Sequence, residues 1–189
     1  MMYPNAFNGD DLLFNRFKEL VKQFNVKSIV ETGTFEGKTT DALASIIPVV
    51  HTIEVSKNYQ AKAKQNCKNK NIVFHLGSSV EILPKIIKKL DNPMFFLDAH
   101  WQTFCPLWKE LDIIAEAGLK PVIVIHDFKV PGKGGLGFDN WNGKEISHIN
   151  VKPNIDKIYG AGQYIHQTNK QAHGAMRGAG FYFPQEENK

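Results

Sequence analysis

Asp98-Ala99-His100-Trp101 follows one short apolar run, Met94 to Leu97, and His126-Asp127 follows another, Val122 to Ile125. If these runs are neighbouring strands of a parallel sheet, their polar sequels emerge at one edge, beyond the carboxyl ends where ligands of open α/β sheets gather. Carboxylate oxygens from Asp98 and Asp127, with an imidazole nitrogen from His126, then form part of a divalent-metal site. Magnesium favours oxygen, whereas manganese, iron, nickel or zinc accept imidazole more readily, so this donor set leaves the metal open. His100 and the two aspartates are also the kind of set that activates water, which keeps a metal-assisted hydrolase in view.

A second set of groups surrounds the earlier apolar runs. Glu31 follows Lys27 to Val30 and opens the loop Glu31-Thr32-Gly33-Thr34-Phe35-Glu36-Gly37-Lys38-Thr39-Thr40; Glu54 follows Val50 to Ile53. The loop lacks both the G-x-G-x-x-G dinucleotide fingerprint and the spacing of a phosphate-binding P-loop, despite Gly-Lys-Thr at 37 to 39. Gly33 lets the backbone turn sharply, and Gly37 lets a ligand or the next helix come close. Glu31 can accept a hydrogen bond from a ligand ammonium, while amides near Gly33 and the helix start can receive a carboxylate. That combination fits the amino-acid end of S-adenosylmethionine, with Thr34, Gly37 and Thr39 as the remaining loop contacts. Glu54 suits both ribose hydroxyls, of this ligand or of NAD. Gly77-Ser78-Ser79 can set an amide and a hydroxyl beside adenine, or Ser can simply cap the helix over Val80 to Leu90.

These residues need a scaffold, and the hydrophobic pattern supplies one. Leu12 to Phe24 repeats at helical spacing and predicts an amphipathic first helix that covers the fold. Strands are expected at 27–30, 50–53, 72–76, 94–97 and 122–125, with helices between them at 39–46, 58–67, around Pro84, which is tolerable only near a first helical turn, and at 106–117. Five strand-helix repetitions indicate a mostly parallel sheet. From Lys129 to Gly143 five glycines and irregular apolar spacing predict a loop, so 128–162 reads as a substrate-side loop region. Gln163 to Gln167 and Phe181 to Phe183 are expected as closing strands. Trp101, Trp108 and Trp141 are candidates for a substrate wall, although Trp108 sits in a helical pattern that favours the core. Arg177 suits an acidic substrate group or a turn contact equally.

At 189 residues and 42% apolar content the chain is most economically one domain, 1–189, with 1–24 as a helical cover. A formal charge of +4 is too small to name a nucleic-acid partner. Cys67 and Cys105 have neither metal-ligand nor redox-motif spacing, so reduced thiols and a cytoplasmic location are expected. No 18-residue apolar run and no signal-peptide pattern in Met1 to Asp11 point to a membrane. The oligomeric state, a homo-oligomer included, is left open.

The Glu-Thr-Gly-Thr-Phe-Glu-Gly loop, Ile53-Glu54, Gly77-Ser78-Ser79 and the two Asp-bearing strand ends stand in an order that resembles class I S-adenosylmethionine-dependent methyltransferases. The resemblance covers about Asn25 to Asp127 and extends through Arg177-Gly178 to Pro184. It implies a Rossmann-like α/β fold: a mostly parallel seven-stranded sheet with helices on both faces and an antiparallel final strand. The arrangement is most similar to metal-dependent O-methyltransferases of sugars and small natural products that resemble macrocin O-methyltransferase. Their Asp-x-Asp after the fourth strand and paired acids after the fifth match Asp98, His100 and His126-Asp127. By that resemblance Asp98, His126 and Asp127 hold the metal, His100 is the catalytic base, Asp98 belongs to both catalysis and cofactor binding, and the partner is a hydroxylated small molecule or sugar derivative. The two histidines depart from the acidic pattern. Trp101 stands where catechol-type relatives carry a lysine base. A non-catalytic adenosine-metabolite binding module is the rival of another class.

Overall fold

Five runs rich in β-branched and aromatic residues form the parallel body of the sheet: β1 (Ser28–Thr32), β2 (Val49–Glu54), β3 (Ile72–Leu76), β4 (Pro93–Leu97) and β5 (Val122–His126). The computed structural model describes residues 3, 5–100, 104–132 and 134–185. Two later strands, β8 (Tyr164–Thr168) and β9 (Ala179–Pro184), complete a seven-stranded sheet in the order β3-β2-β1-β4-β5-β9-β8. Only β9 runs against the others, pairing antiparallel with β5 and with β8. The expected architecture is therefore present. The strand order reverses between β1 and β4, which makes the crevice above that pair the switch point where such sheets bind ligands.

Register sets the site. Thr32 pairs with Ile53 and with Leu97, and Leu97 pairs with Ile125. The next residue of each strand, Gly33, Glu54, Asp98 and His126, therefore lies in one row along the carboxyl edge. Side chains alternate along each strand, so successive residues go to opposite layers. Ile29, Met94, Phe96, Val122 and Val124 join α1 (Asp11–Gln23) and α2 (Lys38–Ala44) in one core. Val30, Phe95, Leu97, Ile123 and Ile125 join α4 (Ser79–Ile86), α5 (Leu107–Glu116) and α6 (His148–Tyr159) in the other. The remaining helix, α3 (Lys57–Asn66), packs near α2 and β3.

The first helix forms as its spacing predicts. The Asp10 carboxylate caps it by accepting from the Leu13 amide at 3.1 Å, and Leu13, Phe17 and Leu20 are buried on one face. Burial of each contributes roughly 1.5–3 kcal/mol. Ahead of this helix a tight turn, Ala6–Gly9, holds Asn5, Phe7 and Asn8 at positive φ. It is pinned by the buried Phe7 ring, 5.0 Å from Phe17 and 5.7 Å from Phe96, and by the Phe7 amide donating to Thr39 Oγ1 at 2.9 Å. The Ala175 amide donates to the Asn8 carbonyl on its other side.

Two expectations fail. The segment 128–162 is not a loop throughout: it contains a hairpin, β6 (Asn140–Trp141) and β7 (Lys144–Glu145), and then twelve-residue α6, which packs on α5. Pro153 inside α6 hid that helix, since proline removes an amide donor, yet Val151, Ile155 and Ile158 still bury one face. Pro84 was expected only in a first helical turn. It sits deeper, at the sixth residue of α4, and the chain tightens to a 3-10 turn at Ile87–Lys89 soon after. Trp101 lies outside the described residues.

Candidate active site

A cavity of about 730 Å³ opens above the switch point. Glu54, Gly77, Ser78 and Ser79 line it over β2 and β3; Gly33, Thr34 and Thr39 line it over β1; Asp98 and His100 line it over β4. Gly33 is required where it stands: φ is +91°, and a Cβ there would lie 2.8 Å from the Asp98 carbonyl oxygen. Bare backbone at this point lets β1 and β4 continue side by side into the crevice. Asn5, Asn8, Val55, Tyr59 and Phe104 also line the cavity, Tyr59 from the first turn of α3 and the others from connecting segments, and none belongs to a pattern that marks a ligand contact.

Glu54 is held from both sides. Its Oε2 accepts from the Phe35 amide at 2.8 Å and its Oε1 from the Ser56 amide at 2.9 Å, which fixes the carboxylate at the strand end. Both oxygens keep lone-pair capacity for a ligand diol. Ser78 occupies the position before α4 but makes no side-chain capping bond, so its hydroxyl is not spent on the helix.

Two loop residues are placed differently from expectation. Glu31 does not line the cavity: it is 1% exposed, and its Oε2 accepts from Thr40 Oγ1 and from Thr52 Oγ1 at 2.7 Å. The threonines hold it beneath the loop, so the direct ammonium contact assigned to it is not made by this placement. Gly37 is also off the cavity. The space beside it serves α3, because a Cβ there would fall 2.9 Å from Ala63 Cβ and 2.8 Å from Cys67 Sγ.

Burial raises the Glu31 carboxyl from 4.5 to about 8; the two hydroxyls oppose this, while Asp98 and Glu54 add to it. Between these values the unfolded chain has lost the proton and the folded chain keeps it, so this group makes stability fall as pH rises from 4.5 towards 8. Glu31→Gln removes that loss. The thermal midpoint of the variant, measured against the parent without ligand, is expected to gain little at pH 5 and several degrees at pH 8, on the scale of about 2–4 °C per kcal/mol. An equal difference at both pH values overturns the assignment.

Behind Asp98 the polar residues close into a network. His126 Nδ1 lies 3.0 Å from Asp98 Oδ1 and 3.3 Å from Asp127 Oδ1; His100 Nε2 lies 2.9 Å from Asp127 Oδ2 and 3.6 Å from Asp139 Oδ2. The Arg177 guanidinium donates to Asp127 and Asp139 together. Asp127 turns back into this cluster through a positive φ of 53°. Burial opposes its ionisation, but hydrogen bonds from His100, His126 and Arg177 hold its carboxyl well below the usual range. Burial likewise opposes charge on His126, and Asp98 with Asp127 outweighs it, so the imidazole pKa is raised. The hydrogen bond to Asp127 raises His100, against burial.

Asp98, His126 and Asp127 each offer one ligand atom, all within 4.8 Å of one another. Separations of 3.0 and 3.3 Å match the edge of an octahedron, about 3.0 Å for bonds of roughly 2.1 Å. With both histidines neutral, three aspartates against one guanidinium leave two negative charges, which one divalent cation balances. The residues fit such an ion. His100, Asp127 and Asp139 form a second overlapping group. Asp139 and the bond from Arg177 to Asp127 escaped the sequence because 129–143 and the stretch between β8 and β9 have no period from which to read them. Trp141 packs against His100 with ring centroids 5.8 Å apart, whereas Trp108 joins the core and donates to the Asn150 carbonyl.

No protein-family model matches the chain. A stretch of 65 residues is 38% identical to protein-L-isoaspartate O-methyltransferase of Shewanella frigidimarina, covering 33% of this chain and 31% of that protein, so the likeness spans about a third of the curated relative. Solved structures match over nearly the whole chain. An O-methyltransferase of tomaymycin synthesis from Streptomyces achromogenes, in complex with S-adenosylmethionine, has a TM-score of 0.65 at 18% identity over 92% of this chain and 80% of its own. An O-methyltransferase from Bacillus cereus, in complex with S-adenosylhomocysteine, has a TM-score of 0.67 at 18% identity over 93% and 81%. A precorrin-8w decarboxylase from Methanobacterium thermoautotrophicum has a TM-score of 0.55 at 14% identity over 93% and 90%. The chain therefore has the Rossmann-like methyltransferase fold, and that fold houses more than one chemistry.

Proposed function

We propose that this protein is an S-adenosylmethionine-dependent methyltransferase that methylates a hydroxyl of a small molecule, a sugar derivative among the candidates, with a divalent metal at the site. The supporting observation is the single cavity that has Glu54, Ser78 and Ser79 at one end and Asp98 and His100 at the other. A nucleoside at the first end presents its diol to Glu54, and the backbone at Gly33 and Thr34 carries the amino-acid portion across the switch point towards Asp98. S-adenosylmethionine supplies an electrophilic methyl group when bound. His100 takes the acceptor proton: with Nε2–H donated to Asp127, Nδ1 is left as the accepting nitrogen. Asp127 fixes that tautomer, and Arg177 with Asp139 fixes Asp127. Asp98, His126 and Asp127 would hold the metal, whose charge lowers the pKa of a nearby hydroxyl.

Calorimetry of the purified protein with S-adenosylmethionine, S-adenosylhomocysteine and NAD tests this reading. The two sulfur nucleosides are expected to bind and NAD to be rejected. Glu54→Ala, which removes two charge-assisted partners of a diol, is expected to weaken S-adenosylhomocysteine by about tenfold or more. Unchanged affinity, or preference for NAD, overturns the reading.

A further inference from the structure

Asn5 and Asn8 flank the buried Phe7 on the turn ahead of α1, and both line the cavity. Their φ angles are +71° and +55°, and that of Phe7 is +50°, a region that residues with a Cβ enter only under constraint. The constraint is visible on both sides of the turn. The Phe7 amide donates to Thr39 Oγ1 at 2.9 Å; the Asn8 carbonyl accepts from the Ala175 amide and lies so close to Gly174 that a Cβ there has no room. Both asparagines are exposed, and among the described residues neither carboxamide makes a hydrogen bond. Asparagine tolerates positive φ better than most residues, but glycine tolerates it best, so the backbone alone does not require a carboxamide at either place. The neighbouring acids are engaged. Glu31 lies beneath the loop with Thr40 and Thr52, Glu36 pairs with Lys38 at 3.2 Å and with Lys62, and Asp98 is turned towards His126 at 3.0 Å. The two carboxamides are left as side-chain acceptors without a partner, on the same cavity as Gly33, Thr34 and Thr39.

We infer that Asn5 and Asn8 receive the ammonium group at the amino-acid end of the sulfur nucleoside, the contact that buried Glu31 does not make. This inference rests on the cofactor reading above. With the diol at Glu54 and the base beside Ser78 and Ser79, the ligand passes Gly33 and Thr34. Its amino-acid end then meets the stretch of wall that the bond from Phe7 to Thr39 ties to the turn. An ammonium presents three hydrogens and accepts none, and each carboxamide oxygen offers two lone pairs. Hydrogen bonds from a charged donor are stronger than those between neutral groups, so two such oxygens suffice to select for the amine. The left-handed backbone at residues 5 and 8 then has a use: with Phe7 anchored in the core between them, it brings both side chains to one cavity. Recognition of this end of the ligand belongs to the turn ahead of α1 and not to the strand ends.

Calorimetry with three probes tests the contact: S-adenosylhomocysteine, its analogue lacking the amino group, and 5′-methylthioadenosine, which lacks the whole amino-acid end. Thermal midpoints without ligand are measured in parallel. The parent is expected to prefer S-adenosylhomocysteine to the deaminated analogue by about tenfold or more. Asn5→Gly combined with Asn8→Gly keeps the left-handed backbone and deletes both carboxamides. Its preference is expected to fall to about threefold or less, with 5′-methylthioadenosine bound within about threefold of the parent and the midpoint lowered by no more than a few degrees. Asn5→Asp combined with Asn8→Asp keeps oxygen acceptors at both places and is expected to hold the preference at or above that of the parent. A glycine variant that keeps the full preference, or that weakens 5′-methylthioadenosine as much as S-adenosylhomocysteine, overturns the inference. So does an aspartate variant that loses the preference. Failure of the parent to bind any of the three probes overturns the cofactor reading and this inference together. A parent that binds S-adenosylhomocysteine and 5′-methylthioadenosine but does not distinguish the deaminated analogue overturns the inference alone.

Discussion

His100→Ala is expected to lower the methyl-transfer rate by about 10²–10⁴-fold, the usual contribution of a positioned general base, with S-adenosylhomocysteine affinity close to that of the parent. His100 stands at the acceptor end of the cavity, away from Glu54 and Ser78, so its loss removes a proton acceptor and not a nucleoside contact. The 2.9 Å link to Asp127 fixes which ring nitrogen is free. Asp127→Asn should therefore lower the rate as well, since the amide can donate to the imidazole and stabilise the wrong tautomer. The pH profile carries the sign. His100 is raised above its ordinary value of 6.5, first by Asp127 and then by Asp98 and Asp139, so the ring holds its proton to higher pH and cannot act as a base while it does. The rate is expected to rise with pH along a limb that His100→Ala abolishes. A full rate in that variant, or a limb that survives it, rules out His100 as the base.

The second large effect concerns the metal. Manganese, followed by calorimetry or by its paramagnetic resonance, is expected to bind at one site per chain, and Asp98→Asn to weaken it by about tenfold or more. Removing the ion with a chelator is expected to lower methyl transfer by about 10²-fold or more, if hydroxyl activation depends on the ion as proposed. Protons compete directly with the cation. Burial disfavours charge on His126, but Asp98 and Asp127 raise it, so this imidazole must surrender a proton to become a ligand. Affinity should therefore climb by about tenfold per pH unit while one proton is released. Binding that ignores pH, or survives loss of Asp98, contradicts the assignment; in that case Arg177 alone balances the carboxylates it already contacts.

Short apolar runs and the punctuation of strand ends made the sheet legible, because buried parallel strands are written as near-continuous apolar stretches whose polar sequels face the crevice. Gly33, Glu54, Ser78, Ser79, Asp98 and His100 were readable for the same reason: each follows a strand, and register brings strand ends abreast. Glu31 shows the limit of that logic. It belongs to the final residues of β1, yet Thr40 in α2 and Thr52 in β2 draw its carboxyl group under the loop. Helix α6 was hidden by Pro153 and by a polar face whose partner, α5, lies far along the chain. Asp139 and Arg177 join the site region through hydrogen bonds between loops, and Asn5 and Asn8 reach the cavity from the turn ahead of α1; neither arrangement leaves a period in a sequence.

The strained turn at Asn5–Gly9 and the reversed direction of β9 have a practical consequence for anyone handling the protein. Asn5 stands at the rim of the cavity, whereas β9 runs from Ala179, paired with His126, down to Pro184 at the opposite edge of the sheet. A small fluorophore attached through Asn5→Cys would meet an entering ligand; one attached through Pro184→Cys would stand at the opposite edge, clear of it.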